Sequence, residues 1–308
     1  MRTNPRRRWA ASLGAVLALT LGSALDAHAD GSPAKVTLIS AGKGAKRALR
    51  FSVKPGQKQQ IKLVMEMEMA MAMGEMRMPA VKAPVSEITM DTEVTKVDAG
   101  RIRYRFSFSD VRIIDDAGLP AAAVAQMKAG MDGMKGVKGF AEVDETGRTF
   151  DADFSTDGTL EPQMAEMLEN VRNSLNSLTA PFPIEPVGLG AKWTVEMTAN
   201  QMGFALTQVA TYELTNLKGD VGTLKVGIKQ SASNSELKLP NLPPEAKARL
   251  VSMDSGGGGD VQFTLRKLGP ARATTKVKSN MKMEIEAQGQ RQVMEMDMNM
   301  TIKMTSAK

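Results

Sequence analysis

Apolar residues recur every second position along much of this chain. Between 58 and 73, Ile61, Leu63, Met65, Met67, Met69, Met71 and Met73 occupy odd positions, with Lys62, Glu66 and Glu68 between them. Successive side chains of a strand point to opposite faces, so this spacing predicts a strand with one apolar and one largely polar face. Ile88, Met90, Thr92 and Val94 continue on even positions. Asp98-Ala99-Gly100 reads as a turn, and Ile102, Tyr104, Phe106 and Phe108 as the returning strand of a hairpin. Parity changes before Val111 and Ile113, which predicts a bulge near Ser109-Asp110. Phe140 to Phe154 reads as a further hairpin turning at Glu145-Thr146-Gly147.

The second half follows a similar plan. Trp193, Val195 and Met197 open a strand, and Tyr212 and Leu214 lead through a Lys218-Gly219-Asp220 turn to Leu224, Val226 and Ile228. Gly256 to Gly259 reads as a flexible link before a hairpin that starts with Val261, Phe263 and Leu265. Met281, Met283 and Ile285 follow, then Met294, Met296, Met298, Met300, Ile302 and Met304. Helical spacing is rarer. After Pro162, a favourable first helical residue, Met164, Met167, Leu168, Val171, Leu175 and Leu178 share one face, which predicts an amphipathic helix at about 162–178. Residues 119–134 make a weaker helix, interrupted by Gly130 and Gly133, and Pro244 to Leu250 a short one. The pattern predicts a mainly β fold: two loosely repeated antiparallel β units forming a curved sheet or half-barrel. Residues 30–180 make the N-terminal unit with its helices, 181–187 a Pro-rich joint and 188–308 the C-terminal unit.

The first residues follow a different logic. Arg2, Arg6, Arg7 and Arg8 precede an apolar run from Trp9 to Leu25, and Ala27-His28-Ala29 offers the small-x-small pattern of a cleavage site. Residues 1–29 therefore read as a secretory signal, and the mature chain is expected in the periplasm or outside the cell after cleavage near Ala29. Half of the formal net charge of +6 leaves with that segment, which carries four arginines against Asp26. No basic cluster is interleaved with aromatics, so nucleic acid is not an expected partner.

Composition then limits the chemistry. The chain has no Cys and one His, and that His is His28 inside the signal. A Ser-His-Asp triad, a Cys nucleophile and zinc or haem ligation by His and Cys are unavailable to residues 30–308. A non-enzymatic protein without a cofactor is the expectation, with carboxylate chemistry the remaining enzymatic route. Acid pairs such as Asp115-Asp116 and Asp151/Asp153 read as charged turns. Gly188-Leu189-Gly190 lacks the third Gly of a nucleotide site and reads as a turn feeding a strand anchored by Trp193.

Methionine is the outstanding residue, 24 in the chain. Met65, Met67, Met69, Met71 and Met73, with Met294, Met296, Met298 and Met300, are the candidate lining of an apolar surface, because flexible thioether chains adapt to variable hydrophobic partners. A lipid, a lipoprotein or an envelope protein would suit such a surface. Two alternatives stand beside it. Met-x-Met places two thioethers on one face about 7 Å apart at the backbone, a gap that long Met side chains can close around Cu(I) or Ag(I). The same strands also suit a filled core in a structural or partner-binding protein. Asp153, Ser155 and Asp157 with Gly158 follow the opening of a calcium loop, although Met164 occupies the position of its bidentate Glu.

Lys54-Pro55-Gly56, the ladder from Met65, and Pro186-Val187-Gly188 to Trp193 together resemble an uncharacterised exported bacterial family called domain of unknown function 6263. The resemblance spans most of the mature chain, rests on structural motifs and implies no activity. The layout also bears a looser architectural likeness to lipoprotein-carrier folds, which implies a curved sheet able to hold acyl chains around helices.

Overall fold

The computed structural model describes residues 34–155, 181–201, 204–232, 236–237, 247–287 and 290–307. The fold is mainly β, with one helix among the described residues. The first half contributes β1 (Lys35–Ser40), β2 (Lys43–Arg47), β3 (Lys58–Met73), β4 (Met76–Arg77), β5 (Val81–Lys82), β6 (Val85–Asp98), β7 (Arg101–Asp115), α1 (Ala121–Asp132), β8 (Lys138–Asp144) and β9 (Thr149–Ser155). The second half contributes β10 (Val187–Leu189), β11 (Lys192–Gln201), β12 (Phe204–Lys218), β13 (Val221–Ala232), β14 (Glu236–Leu237), β15 (Lys247–Thr264), β16 (Arg272–Ala287) and β17 (Gln290–Ser306).

One large antiparallel sheet takes strands from both halves, in the order β1-β11-β12-β13-β15-β16-β17-β3-β6-β7-β8-β9. The path is open, ending at β1 and β9, while β2 and β10 form a separate pair. The alternation that predicts β3, β6, β7 and β17 is the alternation of the sheet itself. The expected bulge is present: Thr89 pairs with Asp110 and Met90 with Phe108, leaving Ser109 over. The helix of residues 162–178 lies outside the described residues. The weaker one is present as α1, which follows Pro120, ends at Gly133 and buries Val124.

Two expectations are corrected. Gly256 to Gly259 are not a flexible link. They lie inside β15, paired with Lys229 to Val226 on one side and Lys278 to Thr275 on the other. At Gly257 and Gly259 a Cβ would collide with the carbonyl oxygens of Lys276 and Thr274, so only Gly allows the two backbones to approach this closely. Lys247 to Leu250, the end of the expected short helix, are also strand, because Ala248 and Leu250 pair with Ile285 and Met283.

The sheet curls, because residues from its two ends share one core. Ile102, Tyr104 and Val143 from β7 and β8 belong to the same buried cluster as Trp193, Leu214 and Val226 from β11, β12 and β13. Two non-strand segments plug the space between them. Phe51 N–H donates to Glu145 O and Ser52 N–H to Leu265 O, while Phe182 N–H donates to Thr146 O. Phe182 packs on Phe51 at 5.2 Å and on Phe263 at 5.0 Å between ring centroids. Trp193 is fully buried, stacks on Tyr212 and donates its Nε1–H to Pro181 O at 3.1 Å. The turns Asp98-Gly100, Glu145-Gly147 and Gly219-Asp220 therefore surround a packed pole. The far ends of the same strands form the other pole, where the methionines lie.

Candidate functional site

The two methionine ladders are neighbours on one face. β17 pairs with β3 so that Met294 faces Met73, Met296 faces Met71, Met298 faces Met69, and Met300 faces Met67. Met65 faces Ile302 in the same register. β16 extends the surface, pairing Met283 with Met294 and Met281 with Met296, and β15 adds Met253 opposite Met281. Cross-strand neighbours of this kind have Cβ atoms about 5 Å apart, so Met71, Met296, Met281 and Met253 form a continuous row of thioethers. All nine predicted lining residues thus share one surface. Each of them is half-buried, keeping part of its area exposed, whereas Met281 and Met283 are buried in a satellite cluster with Leu206 and Leu250.

Charge is sorted strictly between the two faces here. On the inner side, β3 from Ile61 to Met73, β17 from Met294 to Met304 and β16 from Ala273 to Ile285 place only uncharged side chains. β15, β13 and β12 do the same with Val261, Ser255, Met253, Ile228, Gln230, Ala210 and Gln208. The outer side carries cross-strand ion pairs. Lys303 pairs with Glu66, Lys282 with Glu295 at 3.3 Å, and Arg249 with Glu284 at 2.7 Å. The hydrogen bond from Arg249 holds the Glu284 carboxyl below the usual carboxylate range. Asp220 is lowered in the same way by hydrogen bonds from Arg266 and Arg47, which tie the β12–β13 turn to the end of β15 and to β2.

A polar row interrupts the apolar inner face. Ser279 pairs with Ser255, Ser255 with Gln230, and Gln230 with Gln208, one residue on each of four adjacent strands. Ser255 Oγ donates to Gln230 Oε1 at 2.6 Å, and Gln230 Nε2 donates to Gln208 Oε1 at 2.9 Å. Ser279 is buried beside this chain, and its Oγ has no hydrogen-bond partner among the described residues. A buried hydroxyl left unpaired costs about 1–3 kcal/mol. The sequence reading missed these four residues, since it followed the apolar positions alone. Their signal was Val277-x-Ser279-x-Met281, a polar side chain in the apolar phase of a strand.

The other candidate residues are dispersed. Asp153 is exposed on β9 and its Oδ1 accepts from Phe154 N–H at 2.8 Å. Ser155 ends that strand opposite Lys138, and Asp157 lies outside the described residues. Among the described residues no group of three or more acids or histidines converges on a metal-sized space. A hollow of about 690 Å³ lies instead over β3, β6 and β7, lined by Lys58, Glu93, Arg105 and Lys138 among others. Its Glu93 is shared between Arg105 at 2.8 Å and Lys58 at 3.8 Å, and the Arg105 hydrogen bond keeps its carboxyl below the ordinary range.

Among the described residues no helix is long and apolar enough to cross a membrane. The chain matches no protein-family model and no curated protein, so the geometry of the methionine face carries the functional argument.

Proposed function

We propose that this is an exported, non-enzymatic protein that holds a hydrophobic ligand, a lipid acyl chain in the first place, on the methionine-lined inner face. One observation carries the reading: two in-register methionine ladders that stay partly exposed on an uncharged face. A surface made only to fill a core would be buried like the packed pole, where Trp193, Leu214 and Leu224 are fully covered. Unbranched thioether side chains re-pack around variable apolar shapes at little cost, which suits a ligand of varying length. The secretory signal read at residues 1–29 would bring such a protein to a lipid-rich envelope, where lipid, lipoprotein and envelope proteins are the available partners.

A second reading has its own support. The row Met71, Met296, Met281 and Met253 brings four thioethers together, the ligand type that selects Cu(I) and Ag(I). One set of variants separates the two. Leu at Met71, Met253, Met281 and Met296 preserves the apolar lining and removes the four sulfurs of that row. The expected result is that native mass spectrometry detects acyl-lipid adducts on both proteins and that anaerobic Cu(I) titration finds no tight stoichiometric site on either. Tight Cu(I) binding lost in the Leu variant would favour the metal. Absence of lipid adducts and of Cu(I) binding would leave a structural or partner-binding protein.

A further inference from the structure

The inner face has a chemical structure finer than apolar. The polar row crosses it at the middle of the ladders: Ser279 faces Met298 on β17, and Met298 faces Met69 on β3. Hydrogen bonds run along the row from Ser255 to Gln230 to Gln208. They do not include Ser279, the member next to the methionines, which is 4% exposed and whose hydroxyl has no partner among the described residues. Native interiors pair nearly all such groups, so an unpaired one on this face stands out as a place for a polar partner. A hydroxyl offers one donor and two acceptor lone pairs, and a neutral carbonyl acceptor is the group that takes up its hydrogen.

We infer that the ligand is an uncharged ester lipid whose acyl chain lies along the methionine ladders and whose ester carbonyl accepts a hydrogen bond from Ser279 Oγ. This rests on the reading of the ladder face as a lipid site. The absence of charge on the face selects the headgroup. The inner positions of β3, β17, β16, β15, β13 and β12 carry no Lys or Arg, and the cations of these strands occupy outer positions, where Arg249, Lys282 and Lys303 form ion pairs. An ionised carboxylate or phosphate at the row would be a buried charge without a counter-ion, far costlier than a neutral carbonyl. A plain hydrocarbon would bury the row against methylenes and leave Ser279 unpaired. An ester satisfies both conditions: it bears no charge and offers an acceptor.

The test compares monooleoylglycerol, oleate and octadecane as ligands of the full chain at neutral pH. Monooleoylglycerol is expected to bind best. Ser279→Ala removes one hydrogen bond and is expected to weaken it about tenfold, with octadecane unchanged. A second readout does not depend on the variant folding normally. The infrared stretch of an isotope-labelled ester carbonyl should shift to lower frequency on binding to the unmodified protein. Oleate binding as tightly as the ester, or a carbonyl band unmoved from its position in hydrocarbon solvent, would overturn the inference while leaving the lipid-binding reading intact. Failure of all three ligands to bind would overturn that reading and the inference with it.

Discussion

At the residue scale, the two tyrosines report on the core. Both belong to the inner face: Tyr104 is 6% exposed, and Tyr212 stacks on Trp193 with ring centroids 5.7 Å apart. Burial pushes both phenols up to about 12, because a phenolate there would lose its hydration. In the unfolded chain they titrate near pH ~10. Between those values the unfolded state releases protons that the folded state keeps, so stability falls as pH rises through the window. For Tyr104 the loss is on the order of 2 kcal/mol. A spectrophotometric titration should therefore show almost no phenolate near pH ~10 in the native protein and about half ionisation there in denaturant. A native titration matching the denatured one would place both rings in contact with water.

At the element scale, β15 is the least expected strand. A run of four glycines has low strand propensity, and from local composition alone it reads as a link. Its neighbours decide otherwise, since β13 and β16 offer hydrogen-bond partners on both sides and approach closely. The glycine positions are then unequal. A Cβ at Gly257 meets the Lys276 carbonyl inside contact distance, while one at Gly256 stands 3.3 Å from Ile228 O. Gly257→Ala should destabilise the protein by about 1–3 kcal/mol in denaturant unfolding, and Gly256→Ala clearly less. Equal, negligible effects of the two would mean that the tract is a link after all.

At the scale of the whole molecule, the sheet has two unlike poles. One is sealed by Phe51, Phe182 and Trp193, and the other presents half-exposed methionines. Mild peroxide oxidises thioethers according to access, and a sulfoxide turns an apolar side chain polar. Peptide mass spectrometry should find Met67, Met69, Met298 and Met300 oxidised well before Met281 and Met283, which are 6% and 4% exposed. Acyl-lipid binding should be lost in step with oxidation of the first group. Uniform rates would indicate a face that solvent does not reach.

Local residue order dictates the alternation, and with it the β character, the hairpin turns, the bulge at Ser109 and the apolar phase of each ladder. Those features depend on residues close in the chain, where side-chain period and turn chemistry act directly. Composition also excludes His and Cys chemistry from residues 30–308, since absence needs no fold to be read. Pairing between distant segments was not legible. That Met69 faces Met298, that Phe182 in the Pro-rich stretch fills the core, and that Ser279, Ser255, Gln230 and Gln208 align across four strands all follow from long-range register. Register is set by how every strand buries its apolar phase at once, a condition no single strand contains. Two separate methionine patterns thus became one surface, and a few scattered polar residues became a row across it, only when the tertiary structure placed them side by side.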